Sequence, residues 1–143
     1  MVTEVDGIIG VKQSAEDLKL VADLLVGIGD KGVVFSATDA LMYPSFALGV
    51  HGAISAILTA VPGMLVQLWN AVQNGDHNTG RDLHVKLLGI WNAISGPGMV
   101  ANVKTAMQLQ ERQGGVPRAP WRSTGEEGKA HIQKALADAG VIS

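Results

Sequence analysis

The first 56 residues alternate between short apolar strands and helical segments, and this order limits the possible folds more than any other feature. Residues 8–11, 33–35 and 53–56 are short apolar runs next to glycine, which predicts buried strands. The helical segments between them act as crossover connections, so the strands are expected to be parallel. The sequence therefore predicts an α/β fold in its first part.

Helix ends are marked by capping residues in several places. Ser14, followed by Asp17, predicts the start of a helix that ends near Gly29. From residue 61 onward every segment has helical periodicity, and Asp76 is placed to cap one of these helices. Ser123 and Glu126 have the spacing of a capping box before the last helix.

Three parallel strands are few for a sheet covered by so many helices. The 143 residues would suit a single domain, but the pattern also fits the last part of a larger α/β structure. On that second interpretation the chain divides into β/α units over residues 1–75 and a helical extension over residues 76–143.

Charge and composition exclude several classes of protein. Eleven basic residues against 13 acidic ones give a formal charge of −2, which does not provide the basic surface that nucleic-acid binding needs. No apolar run is long enough for a membrane span, and no metal site is indicated. The absence of Cys excludes disulfides and is typical of a cytoplasmic protein.

Reactive groups in parallel α/β folds gather where the strands end. Lys12 ends the first strand, Ser36 to Asp39 end the second, and Ile54 lies along the third. A partly desolvated Lys12 amine could act as a nucleophile on a carbonyl, although a lysine extending into water is the commoner outcome at a strand end. His51 could be a base or a ligand, but a packing role is commoner for such a histidine.

Three segments resemble the dihydrodipicolinate synthase and N-acetylneuraminate lyase family. They are IIGVKQS at residues 8–14, SATD at residues 36–39 and GVHGAIS at residues 49–55. Lys104 and the residues 118–120 before the last helix also match. The resemblance covers essentially the whole chain.

This resemblance implies the C-terminal portion of a TIM (β/α)8 barrel, with the three strands as its sixth, seventh and eighth, followed by a C-terminal helical extension. Lys12 would form an imine with pyruvate or another 2-oxo acid, and no cofactor is implied. The backbone of Ile54 would border the bound 2-oxo acid, and Ser36 and Asp39 would belong to the substrate site.

The sequence also departs from the family pattern. A barrel of this type needs about 250 residues, and the family's tyrosine relay and carboxylate loop come from strands before the sixth. Ala37, Ala40, Ala56 and Thr59 replace residues common in the family, which argues against a sialic acid lyase and weakens an assignment to lysine biosynthesis. A sugar-acid aldolase, a dehydratase or a hydratase-aldolase fits equally well.

Two functions follow as alternatives. The first is an imine-forming class I lyase, present here as a partial chain. The second is a non-catalytic remnant that assembles through its helices. Because a strand edge would be exposed in either case, association is expected, as a homo-oligomer or with a missing N-terminal half.

Overall fold

The computed structural model describes residue 2 and residues 4–143. Within these residues, three strands form one parallel sheet in the order β1 (Gly10–Gln13), β2 (Val33–Ser36) and β3 (Gly52–Ala53). The parallel α/β order predicted from the alternation is confirmed over this part of the chain.

Helices follow each strand and, apart from irregular connections such as residues 109–125, make up most of the described chain after β3. They are α1 (Leu18–Ile28), α2 (Met42–Leu48), α3 (Ile57–Ala60), α4 (Pro62–Gln73), α5 (His77–Ile94), α6 (Met99–Gln108) and α7 (Glu126–Asp138). Short 3₁₀ turns, Gly29–Lys31 and Asp39–Leu41, precede β2 and α2. Among the described residues, no helix combines the length and apolar character needed to cross a bilayer.

The first strand overlaps its predicted run, residues 8–11, only at residues 10 and 11, and the third overlaps residues 53–56 only at residue 53. The amide of Ile8 instead bonds to the carbonyl of Val5 at 3.3 Å in a turn, and β1 begins at Gly10. The third strand is already ending at Ala53, because the chain turns into α3 after the amide of Ile54 has bonded to the carbonyl of Ser36. Hydrogen bonding between strands, which hydropathy does not record, sets both limits.

Two of the predicted helix caps were wrong. Asp17, and not Ser14, caps α1, since its Oδ1 accepts from the amide of Lys19 at 2.8 Å. The capping box before α7 does not form, and Gly125 occupies the N-cap position without a side-chain bond. The cap at Asp76 is confirmed by a 3.1 Å bond from the amide of Thr79 to its Oδ1.

The helices pack against one face of the sheet. Val11, Val34 and Ala53 lie on that face and belong to a hydrophobic core that continues into α5, α6 and α7. The core therefore extends across residue 75, and the division proposed there stays a prediction.

The opposite face carries Lys12, Phe35 and Gly52, which the register places side by side. Ile54 follows Gly52 by two residues, so alternation puts it on the same side. We call these four residues the open face, because no helix within residues 2 and 4–143 packs over it. Lys12 is exposed there, and Ile54 is 51% exposed.

Candidate active site at the carboxyl end of the sheet

Lys12 is the third residue of β1, one position from the strand's end. Its neighbour Gln13 turns to the helical side, where it is 4% exposed and its Nε2 donates to the carbonyl of Asp17 at 3.3 Å. Because adjacent residues of a strand point to opposite faces, burial of Gln13 fixes Lys12 on the open face. The strand thus presents one amine to the open face while its other side is packed.

Phe35 lies beside Lys12 on the open face, and sequence reasoning did not single it out. Its ring passes close to Gly52, where a Cβ would lie 3.1 Å from the ring. Gly52 also has φ of +155°, in the region that favours glycine. Side chains alternate between the two faces of a strand, so in β2 the apolar Val34 on the helical side places Phe35 on the opposite side. This alternation is the signal from which Phe35 could have been predicted.

Ile54 completes this side of the open face. Its backbone amide donates to the carbonyl of Ser36 at 2.9 Å, which holds the segment after β3 against β2. The half-exposed Ile54 side chain and the Phe35 ring give the surface around Lys12 an apolar character.

Ser36 has its side chain on the helical face. It is fully buried, and its hydroxyl donates to the hydroxyl of Ser45 on α2 at 3.1 Å. The structure therefore does not bring the Ser36 side chain to the same face as Lys12. Only its backbone carbonyl, through the bond to Ile54, connects it to the open face.

Asp39 lies between β2 and α2 and supports the turn that follows Ile54. Its Oδ1 accepts from the amide of Ile57 at 2.6 Å, at the start of α3. Burial raises the pKa of the Asp39 carboxyl above its ordinary value, and the bond from Ile57 opposes this shift only in part. In the turn before it, the hydroxyl of Thr38 donates to the carbonyl of Ala15 and joins the loops after β1 and β2.

The histidines do not join this site. Nδ1 of His51 accepts from the amide of Val34 at 3.1 Å, and the residue is exposed, so this hydrogen bond takes the place of the packing role expected for it. His77 and His84 lie on α5 around Tyr43, whose hydroxyl is 3.2 Å from Nδ1 of His77. Within the described ranges, no group of three potential metal ligands comes together.

This arrangement suits nucleophilic chemistry by an amine. One lysine stands near the end of a parallel strand with apolar neighbours, and partly buried hydrogen bonds hold the nearby turns. An amine in such a place can condense with the carbonyl carbon of a ligand, since nothing on the open face covers it among the described residues.

Residues 1–139 match the family model described as the Dihydrodipicolinate synthetase family. The 4-hydroxy-tetrahydrodipicolinate synthase of Methanopyrus kandleri is 29% identical over 97% of this chain and 46% of its own length. A solved dihydrodipicolinate synthase is 34% identical with a TM-score of 0.80, covering 97% of this chain and 48% of its own.

A likeness of fold extends to the N-acetylneuraminate lyase of Fusobacterium nucleatum, solved in complex with pyruvate. It is 21% identical with a TM-score of 0.84, over 94% of this chain and 46% of its own. The chain thus spans about half the length of the relatives it matches. The match of residues 1–139, together with the parallel sheet that bears Lys12, shows that the chain belongs to the dihydrodipicolinate synthetase family.

Proposed function

We propose that this chain carries the imine-forming lysine of a class I lyase that acts on pyruvate or a related 2-oxo acid. The observation that carries the proposal is the position of Lys12, exposed near the carboxyl end of a parallel strand. Parallel β/α enzymes place their reactive groups at this end of the sheet. Membership of a family whose relatives are synthases and lyases supports the same chemistry.

The proposed reaction begins when the neutral Lys12 amine attacks the carbonyl carbon of the 2-oxo acid. Loss of water from the resulting carbinolamine leaves an iminium ion. The iminium withdraws electrons from the carbon beside it, so that this carbon can lose a proton to solvent and give an enamine. The enamine carbon then forms a carbon–carbon bond to a carbonyl acceptor, or expels a hydroxyl group from the next carbon as water; the reverse steps break the carbon–carbon bond or add water. No metal or organic cofactor is needed for these steps.

The other predicted site residues take different parts in this proposal. The Ile54 backbone would border the bound 2-oxo acid beside Lys12. Asp39 would hold the turn behind Ile54 through the amide of Ile57, and Ser36 would act through its carbonyl. Asp39 and Ser36 would therefore position the substrate site.

The open face indicates how the strands of this chain would fit into a larger barrel. We infer that β1, β2 and β3 correspond to the sixth, seventh and eighth strands of a TIM barrel, with residues 76–143 as the extension. The open face would then be part of the barrel interior, which side chains from the other strands fill. A polypeptide bearing the preceding β/α units would supply those strands, whereas a second copy of the chain would cover the open face with its own three strands.

Trapping with borohydride tests the catalytic role of Lys12. The chain is incubated with pyruvate and borohydride, alone and together with a polypeptide of the preceding β/α units, and the adduct is located by peptide mass. We expect reduction of the imine on the peptide that contains Lys12, and loss of the adduct in Lys12→Gln.

Lys31→Gln is the matched control, because Lys31 is an exposed lysine in the turn before β2. It should label as the unchanged chain does. Equal labelling of several lysines, or none on Lys12 even with the added polypeptide, would contradict the proposed function.

A second candidate is an assembly module without catalysis. The open face and the edge strands favour it, since Ile9 beside β1 is 77% exposed and Ile54 is 51% exposed. This candidate predicts association with no adduct on Lys12 in either trapping experiment, which separates it from the lyase.

A further inference from the structure

A groove of about 450 Å³ lies between the beginning of α4, the middle of α5 and the end of α7, and it shares no residue with the open face. Val61, Met64 and Val141 supply apolar wall, and Gln67 adds a polar group. Two cationic side chains, Lys86 and Arg112, line the same groove. Its size is within the range of small-molecule sites.

Two backbone carbonyl groups at the end of α3 hold the Arg112 guanidinium in place. Its Nη1 donates to the carbonyl of Ala60 at 2.9 Å, and its Nη2 donates to the carbonyl of Thr59 at 3.0 Å. The side-chain Nε2 of Gln110 donates to the same Ala60 carbonyl at 2.9 Å. A guanidinium has five N–H donors, so three remain while its orientation is fixed. Arg112 is therefore preorganised to receive an anion.

Neither cation of the groove is neutralised by a carboxylate. The ion pairs formed among residues 2 and 4–143 join Lys19 to Asp23 and Lys134 to Asp138. No Asp or Glu is among the described residues that line the groove. Acidic residues line adjoining pockets instead: Asp138 shares one with Lys86, and Glu111 shares another with Arg112. The groove itself thus presents two cationic side chains and no acidic one beside its apolar wall.

We propose that this groove binds a small monocarboxylate with a short apolar stem. Its carboxylate would accept from the free N–H groups of Arg112 and pair with the ammonium of Lys86, since bonds between charged partners are the strongest polar contacts available. Its stem would cover the apolar wall formed by Val61, Met64 and Val141. This binding site is independent of Lys12 and of the proposed lyase chemistry.

Titration of the full chain with hexanoate, followed by amide chemical shifts in NMR spectra, tests the proposal. We expect shifts at the groove residues, weaker binding of acetate, which lacks the stem, and no comparable binding of hexanamide, which lacks the charge. Equal affinity for hexanamide, or for inorganic phosphate, would overturn it.

Lys86→Gln tests binding without removing a hydrogen bond that stabilises the fold, because Lys86 makes no side-chain hydrogen bond within the described part of the chain. We expect this variant to bind hexanoate at least about fivefold more weakly. Arg112→Lys should weaken binding too, because the fork of donors is lost. Lys19→Gln, at an exposed and distant ion pair, should bind as the unchanged chain does, and unchanged binding by Lys86→Gln would contradict the site.

Discussion

The Asp39 carboxylate is a half-buried acid whose hydrogen bond organises the turn after β3. Replacement by Ala leaves the amide of Ile57 without its partner. We expect Asp39→Ala to lower the free energy of unfolding by about 1–3 kcal/mol, the cost of an unsatisfied buried donor. Asp39→Asn keeps a carbonyl oxygen at the same place and should lose less. Urea unfolding measures both, and equal losses would contradict the role of the acceptor oxygen.

The raised pKa of Asp39 predicts a pH dependence with a definite sign. Between its ordinary pKa of 3.8 and its raised value, the folded chain binds more protons than the unfolded chain. The contribution of Asp39 to the free energy of unfolding is therefore fully present below pH 3.8. It is lost as the pH rises through the pKa that Asp39 has in the folded chain. In Asp39→Asn, a plot of unfolding free energy against pH should lack this decrease, and its persistence there would assign it to other carboxyls.

His84 predicts a dependence of the opposite sign. Its half-buried ring lies with its centroid 5.9 Å from that of Tyr43, and burial lowers its pKa below 6.5. The unfolded chain then binds more protons than the folded chain in mildly acidic solution, so stability is complete above 6.5 and falls as the pH decreases. Thermal unfolding between about pH 7 and about pH 5 should show this decrease.

Two variants check the assignment to His84. His84→Gln should lose this part of the pH dependence. His77→Gln, on the exposed first turn of α5, should keep it although it also removes a contact to Tyr43. If His77→Gln abolished the dependence instead, the assignment would be wrong.

At the scale of elements, the loop after α6 packs closely against its own helix. Lys104 donates from Nζ to the carbonyl of Gly114 at 2.7 Å, and a Cβ on Gly114 would collide with the carbonyl of Lys104. Because backbone cannot yield as a side-chain tip can, we expect Gly114→Ala to destabilise the fold by about 1–3 kcal/mol. Chemical unfolding measures the change.

Gly89 provides the matched control for this substitution. It is exposed within α5, and a Cβ there would meet nothing within 4 Å. Gly89→Ala should stabilise the chain by about 1 kcal/mol, since alanine loses less backbone entropy in a helix. Replacing glycine by alanine is thus expected to lower the free energy of unfolding at residue 114 and to raise it at residue 89. A gain in stability from Gly114→Ala would contradict the packing described.

A helix cap was predictable from sequence only where the capping residue directly precedes the residues with helical periodicity. Asp76 meets this condition and caps α5, as predicted. Ser14 is a good capping residue by type, but α1 begins only at Leu18, where Asp17 is nearer. Thr124, next to the expected capping box, is bonded to Asn102 and Thr105 on α6, a contact between distant segments that local sequence does not contain.

For the whole molecule, we predict association through the sheet. Ile9, 77% exposed next to the edge strand β1, is expected to contribute, since exposed edges pair readily with other strands. Ile9→Lys should shift the chain toward smaller species in size-exclusion chromatography with light scattering. Val26→Lys, a matched change at an 87% exposed site on α1, should not. A monomer at high concentration, in the unchanged chain, would contradict the prediction.

The sequence by itself determined the order of strands and helices and the position of Lys12, because hydrophobic periodicity and family motifs are local properties of the chain. Tertiary structure decided which face of the sheet each residue occupies. Register and helix packing place Lys12 on the open face and turn the side chain of Ser36 toward α2. The tertiary structure also brings Asp39 within hydrogen-bond distance of the amide of Ile57. Such pairings depend on residues far apart in sequence.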